Sequence, residues 1–187
     1  MRGAIERFPP SLFLRDTPQT TADHATRTFA ATLCGEAGAD TLDLLHRLMA
    51  RLYSDFTFDT DPTHSATTAT EAFALQRGVC ADFAHVFIAA CRSLGVPARY
   101  VSGYLCRTDG VVAQDAGHAW AEAFVPDLGW VAFDPANGIC ATERYVRVAV
   151  GLDYLSAAPV RGTRYGGGSE RLEVALEVDQ AGRQVQN

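Results

Sequence analysis

The 187-residue sequence contains no apolar run that approaches the roughly 20 residues needed to cross a bilayer. Its first ten residues, MRGAIERFPP, also lack the apolar stretch of a secretory signal. With 48% hydrophobic and 20% charged residues, the composition is typical of a globular protein. We therefore expect a soluble protein with a cytoplasmic address and no membrane partner.

Patterns of metal and nucleic-acid sites are missing as well. The five cysteines are odd in number and form no CxxC pair, which argues against a disulfide scaffold and a zinc knuckle. Cys80, His118 and Asp134 are all zinc-ligand types, but a zinc site normally shows more closely spaced ligands. All sixteen basic residues are arginine; they form no basic run, and the net charge is −6. We expect no metal, no cofactor and no nucleic-acid partner.

The sequence has a helical first half and a strand-rich second half. After an irregular lead-in over residues 1–20, periodicity predicts helices at 21–34, 41–53, 71–76 and 80–94. Alternating segments predict strands at 98–106, 117–125, 129–135, within 142–154 and at 171–178, with a glycine-rich connector before the last. Helices followed by strands indicate an α+β domain in which a buried helix packs on an antiparallel sheet. We expect a single domain over residues 1–187, because this length supports one sizeable core.

Polar and glycine residues predict where the helices begin and end. Thr21 or Asp23 can cap the first helix, which should stop before Gly35. Asp40 can cap the second helix, and either Thr70 with Glu71 or Thr67 with Thr70 can begin the third.

The segment GVCADFAH, residues 78–85, places a cysteine at the start of a helix that is apolar on nearly every side. The free N–H groups and the dipole of a first helical turn stabilise a thiolate at Cys80, although buried cysteines often serve only in packing. Asp82 lies in the same turn and satisfies the same groups, which indicates a structural cap. His85 lies five residues along the helix, about 140° around it from Cys80, and is a poor candidate for its base.

Two later motifs can complete a site for nucleophilic chemistry. GHAW places His118 at the start of a strand, and FDP places Asp134 at the end of the next, with a PDLG turn between them. A turn centred on Asp127 and Leu128 pairs positions that sum to about 255 and sets His118 opposite position 137. His118 and Asp134 would then lie about 7 to 10 Å apart along the strands, so direct contact requires a bulge or another register.

These blocks together resemble the bacterial branch of the transglutaminase-like superfamily. The resemblance is carried by RGVCADFAHVFIAACRSLGVPARYVSGYL and AGHAWAEAFVPDLGWVAFDPANG over about residues 65–140, and YVRVAVGLDYLSAAPVRGTRYGGG resembles the C-terminal part. It implies a papain-like α+β fold with Cys80 as nucleophile, His118 as base and Asp134 as orienting acid. Longer members typically begin with a region of β structure that this sequence lacks, so it is either a short member or a truncated one.

The resemblance implies a cysteine enzyme that acts on peptide or glutamine amide bonds of a protein or peptide through a thioester, with hydrolysis favoured over cross-linking. The Cys80 backbone N–H and Gln76 are the candidates for donors to the oxyanion. Trp120 and Trp130 are candidates for the cleft walls, or for simple hairpin packing. The absence of lysine fits arginine-biased coding or an enzyme that forms glutamine–lysine bonds. The alternative is a catalytically silent binding or scaffolding domain with this fold.

Overall fold

The computed structural model describes residues 8–106, 113–114, 117–158 and 176–178. A 3-10 turn at Pro10–Leu14 precedes five helices: α1 (His24–Ala37), α2 (Thr41–Asp55), α3 (Ala69–Leu75), α4 (Cys80–Ser93) and α5 (Tyr154–Ala157). The strands are β1 (Thr57–Phe58), β2 (Arg77–Gly78), β3 (Ala98–Leu105), β4 (Ala113–Gln114), β5 (His118–Val125), β6 (Gly129–Asp134), β7 (Ile139–Cys140), β8 (Tyr145–Gly151) and β9 (Leu176–Glu177). The architecture is the predicted α+β arrangement.

The helix boundaries follow side-chain caps. Asp23 accepts a hydrogen bond from the Thr26 N–H at 2.8 Å, and Asp40 caps α2 as predicted. The expected end of α1 is wrong, since Gly35 lies within the helix and the positive-φ residue that ends it is Gly38. α3 begins two residues earlier than expected because Thr68 forms a capping box with Glu71.

The main sheet has five antiparallel strands in the order β7-β6-β5-β3-β8. Two small pairs stand apart from it, a parallel β1–β2 pair and an antiparallel β4–β9 pair. Of the strand predicted at 171–178, the structure describes residues 176–178, and β9 pairs with β4 rather than with the main sheet. The glycine-rich connector lies outside the described residues.

The β5–β6 hairpin has a different register from the one expected. Ala121 pairs with Phe133 and Val125 with Gly129, so paired positions sum to 254 rather than 255. The difference arises because three residues, with Asp127 at φ 66°, connect the strands. A shift of one residue moves a side chain to the other face of a sheet. Extended by one pair, the observed register therefore puts Asp134 on the same face as His118.

A β-bulge between Ser102 and Gly103 interrupts the pairing of β3 with β8. Ser102 pairs with Ala149 and Gly103 with Arg147, so β8 contributes one extra residue at this point. Gly103 also pairs with His118 on the other side of β3. Arg147 therefore lies on the same face of the sheet as His118. Tyr145, two residues before Arg147 on β8, lies on that face as well.

Helix α4 forms the centre of the core. Every residue from Asp82 to Arg92 is buried, and the Phe87 ring stacks on Phe133 of β6 with centroids 5.4 Å apart. Three of the four β5 residues on the same face as Phe133 are alanines, Ala119, Ala121 and Ala123, and their small side chains let the helix lie close to the sheet. Within residues 8–106, 113–114, 117–158 and 176–178, no helix combines the length and the apolar character of a membrane span.

The end of α4 is tied to the surrounding chain by a buried guanidinium. Arg92 is only 6% exposed and donates to the backbone carbonyls of Phe13 (2.9 Å), Ala98 (2.8 and 3.1 Å) and Leu152 (2.8 Å). It also donates to the Thr20 hydroxyl at 2.6 Å. One side chain thus joins α4, the residues before α1, β3 and the chain that follows β8.

We predict that Arg92→Met lowers the free energy of unfolding by about 3 kcal/mol, because several buried acceptors lose a charged donor at once. Arg47→Met is the matched control, since Arg47 forms an exposed ion pair with Asp43 and its replacement should lower the free energy of unfolding far less. Urea unfolding followed by circular dichroism measures both changes. Equal losses in the two variants would contradict this role of Arg92.

Candidate active site

Cys80 is the first residue of α4 and is half-buried. The turn that presents it is fixed by Asp82, whose Oδ2 accepts the Val79 N–H and the Thr63 hydroxyl, each at 2.8 Å. A Cβ at Gly78 would come within 2.9 Å of the Asp82 side chain, so a glycine is needed for the carboxylate to fold back. Burial raises the pKa of Asp82 above its ordinary value. These contacts are those of the structural cap that the sequence predicts.

His118 is the first residue of β5, and its side chain lies near Cys80 at the start of α4. Its Nε2 lies 2.6 Å from Oδ2 of Asp134, at the end of β6. Cys80 is also close enough to act on the imidazole electrostatically. Because Nε2 is taken by the carboxylate, Nδ1 is the ring nitrogen left for the sulfur. The Trp120 ring stacks beside the imidazole, with centroids 6.1 Å apart.

Asp134 is fully buried and its two oxygens have separate partners. Oδ1 accepts the backbone N–H groups of Ala136 (3.1 Å) and Asn137 (3.2 Å). Oδ2 accepts His118, the Asn137 side-chain amide (2.7 Å) and the Tyr145 hydroxyl (2.8 Å). Sequence reasoning missed Asn137 and Tyr145. The Asp-Pro-Ala-Asn spacing is a turn signal that could have revealed Asn137, whereas Tyr145 depends on the bulge in β8.

These contacts shift both titratable groups of the pair towards their charged forms. Burial alone would lower the pKa of His118, but its hydrogen bond to Asp134 and its interactions with Cys80 and the Asp134 charge raise it to about 10. Burial alone would raise the pKa of Asp134, but His118, Asn137 and Tyr145 together hold it below its ordinary value. A protonated imidazole beside a carboxylate is therefore the stable pairing at neutral pH.

The structure brings Cys80, His118 and Asp134 together, with Trp120 beside them. It places Trp130 elsewhere, at the opposite end of β6 from Asp134, with its ring 5.2 Å from Phe13 and 4.0 Å from the Arg99 guanidinium. These contacts correct the interpretation of Trp130 as a wall of the cleft and leave it as a packing residue.

Gln76 ends α3 with φ 51°, and its side chain is exposed. Its backbone carbonyl accepts the Thr57 N–H at 2.9 Å, a bond of the β1–β2 pair. The function of its side chain as an oxyanion donor stays a prediction.

Two other histidines have separate surroundings. His85 is buried, accepts the Tyr154 N–H through Nε2 at 3.0 Å, and has its pKa lowered to about 4 by burial. His46 contacts the sulfur of Cys140 at 3.6 Å, and burial raises the pKa of that thiol. Neither histidine belongs to the cluster around Cys80.

The chain belongs to the transglutaminase-like superfamily, because the model of that family matches residues 27–135. The matched range includes Cys80, His118 and Asp134. Membership supports a cysteine-based acyl transfer or hydrolysis as the general class of chemistry.

Similar proteins of known sequence include an uncharacterised protein of Mycobacterium leprae (strain TN). It is 41% identical over 133 residues, which are 69% of this chain and 46% of that protein. A protein-glutamine gamma-glutamyltransferase of Pseudomonas aeruginosa is 30% identical over 146 residues, 71% of this chain and 22% of that protein. This chain thus spans about half the length of the mycobacterial relative and a smaller part of the other.

A similar solved structure is that of a proposed cysteine protease from Cytophaga hutchinsonii. It has a TM-score of 0.69 and 24% sequence identity, and the match covers 91% of this chain and 56% of that one. At this level of identity the likeness shows the shared fold.

We predict a specific pH dependence for the contribution of His118 to stability. Its pKa in the folded protein is about 10, against 6.5 without partners, so the stabilisation is complete below pH 6.5 and is lost as the pH rises through about 10. The difference in unfolding free energy between wild type and His118→Gln should shrink over that range, as measured by urea titrations at several pH values. A difference that is constant with pH would contradict the pairing.

Proposed function

We propose that this protein is a cysteine enzyme that cleaves amide bonds of a protein or peptide substrate through a thioester, with Cys80, His118 and Asp134 as nucleophile, acid–base and orienting residue. The observation that carries the proposal is the 2.6 Å bond between His118 and a fully buried Asp134, next to a cysteine that begins a buried helix. An ordinary packing cysteine needs neither partner.

In the first half of the reaction, the Cys80 sulfur attacks the carbonyl carbon of the amide. The C–S bond forms, and the tetrahedral oxyanion is stabilised by N–H donors at the start of α4, where helical N–H groups have no intrahelical acceptor. The tetrahedral species then collapses with cleavage of the C–N bond. The proton on His118 goes to the departing nitrogen, which leaves as an amine or as ammonia and leaves a thioester on Cys80.

In the second half, the now neutral His118 takes a proton from a water molecule that attacks the thioester. The C–O bond forms, the C–S bond breaks, and a carboxylic acid is released while the thiolate and the imidazolium are restored. If a primary amine attacks instead of water, the product is a new amide. Throughout, Asp134 holds Nε2 of His118, so that Nδ1 stays directed at the sulfur.

The substrate class is supported by the names of similar proteins. One relative is a protein-glutamine gamma-glutamyltransferase, and one structure of the same fold is a proposed cysteine protease. Both names describe attack on an amide carbonyl of a protein, either in a glutamine side chain or in the backbone. We favour hydrolysis because water needs no acceptor pocket.

We predict that iodoacetamide labels Cys80 at neutral pH about tenfold or more faster than Cys140. Both thiols are half-buried, but Cys80 has the His118 partner and the helix start, whereas burial raises the pKa of Cys140. Peptide mapping after timed labelling measures both rates, with Cys80→Ala and Cys140→Ala as matched controls. Equal and slow labelling of the two would favour the alternative, a catalytically silent scaffolding domain.

We predict that incubation with a glutamine-containing peptide converts its carboxamide to a carboxylate or cleaves its backbone, as measured by the mass of the intact peptide. Addition of a primary amine separates the reactions, since a transferase would attach the amine to the peptide. Cys80→Ala should abolish every change. Products that persist in this variant would rule out Cys80 as the nucleophile.

A further inference from the structure

The buried carboxylate of Asp134 is contacted by a side chain that lies outside the family's three reactive positions. Tyr145 starts the edge strand β8, separated from β6 in the sheet order by β3 and β5. Its hydroxyl nevertheless donates to Oδ2 of Asp134 at 2.8 Å. From this contact we infer that Tyr145 is a positioning residue, which fixes the Asp134 carboxylate so that one direction on Oδ2 remains for His118.

The hydrogen bonds around Asp134 explain why a further donor changes the geometry. Oδ1 is held by two backbone N–H groups of the turn that follows β6, at Ala136 and Asn137. These bonds anchor one oxygen but leave Oδ2 to be shared among donors. The Tyr145 hydroxyl and the Asn137 amide, bound at 2.8 and 2.7 Å, already occupy two positions around Oδ2 and so limit where the imidazole can bind. The orientation of the His118 ring is set in this way.

The ring of Tyr145 supports the same arrangement. Its centroid lies 5.2 Å from that of Trp120, edge to face, and 5.9 Å from that of His118. Trp120 in turn occupies space left by Gly103, where a Cβ would lie 2.7 Å from the indole and closer still to the Val146 carbonyl. The tyrosine therefore reaches the carboxylate past a position in β3 that has no side chain, with its ring tilted beside the imidazole.

The bond also places Tyr145 in the electrostatics of the site. It is one of the donors that hold the pKa of Asp134 low, while burial and the neighbouring carboxylate raise the pKa of the phenol itself. The phenol is therefore a neutral donor over the working pH range. It cannot serve as a base, and its effect passes through Asp134.

This inference rests on the proposed function for its effect on turnover, but its structural part can be measured without a substrate. The experiment compares wild type with Tyr145→Phe, which removes the hydroxyl and keeps the ring contacts. Tyr154→Phe is the matched control, because it loses the same atom from a tyrosine that packs on Tyr100, away from Asp134. All three proteins are labelled with ¹⁵N at histidine.

The first readout is the NMR signal of the His118 Nε2–H group. In wild type and Tyr154→Phe, this proton should be shifted downfield and protected from exchange with water by the short bond to Asp134. In Tyr145→Phe, this proton should exchange with water about tenfold or more faster, because the Asp134 oxygen that it bonds has lost the hydrogen bond from the Tyr145 hydroxyl. An unchanged signal in Tyr145→Phe would overturn the inference.

The second readout is a double-mutant cycle on the hydrolysis of the glutamine-containing peptide. Tyr145→Phe should lower kcat about tenfold and leave KM within about twofold, because its hydroxyl is bonded to Asp134 and acts through that carboxylate. In an Asp134→Asn background, Tyr145→Phe should lower kcat little further, because the carboxylate through which the tyrosine acts is already gone. Equal losses in the two backgrounds would mean a general structural role and would overturn the inference.

The two readouts separate this inference from the proposed function. Altered His118 exchange in a protein that never modifies the peptide, with Cys80 no more reactive than Cys140, would support the positioning by Tyr145 and refute the enzyme. An active enzyme in which Tyr145→Phe changes neither the exchange of the His118 proton nor kcat would support the proposed function and refute the positioning by Tyr145.

Discussion

The structure depends on a negative charge that has no access to water. Asp134 is fully buried, and an uncompensated carboxylate in such a place would cost several kcal/mol. Five hydrogen-bond donors from three parts of the chain compensate it: the turn after β6, the start of β5 and the start of β8. The ends of these elements are consequently held together at one point of the sheet. The imidazole is one of these donors, so its position follows from the need to satisfy the charge.

The Cys80 sulfur is positioned by helix α4, which packs against the sheet. α4 is buried along almost its whole length, and Arg92 fastens its far end by hydrogen bonds to three backbone carbonyls and a hydroxyl. Asp82 fixes the near end by closing the first turn. A helix held at both ends presents Cys80 in a defined position, as a precise site requires. The three side chains of the proposed site thus lie on a helix and on two strands rather than on loops.

Much of this arrangement could be predicted from the sequence, and particular residues explain the rest. The continuous apolar character of 80–94, with polar and glycine residues at its ends, was sufficient to identify the central helix and the cysteine at its start. The hairpin between His118 and Asp134 was also readable from its turn. Its register was not, because whether two or three residues connect the strands depends on Asp127 adopting φ 66°, which the PDLG sequence does not dictate.

Tyr145 and Trp130 show a different kind of limit. The side of the sheet on which Tyr145 lies depends on a bulge in β8 opposite Ser102 and Gly103, and no local pattern in either strand predicts it. Trp130 is, from the sequence, a candidate either for a wall of the cleft or for hairpin packing. It lies over Arg99, a buried cation paired with Glu122 at 2.6 Å. Contacts between distant strands decide both positions, and they become visible only when the sheet is assembled.

The distance in the chain between Cys80 and Tyr145 has a consequence for biosynthesis. During translation the helix that carries the thiol leaves the ribosome well before β8, yet the carboxylate beneath the imidazole lacks one of its donors until that edge strand has joined β3. A nascent chain therefore carries its cysteine in an incomplete setting. The set of donors around Asp134 is complete only after β8 has paired with β3, so the site that we propose is assembled late in synthesis.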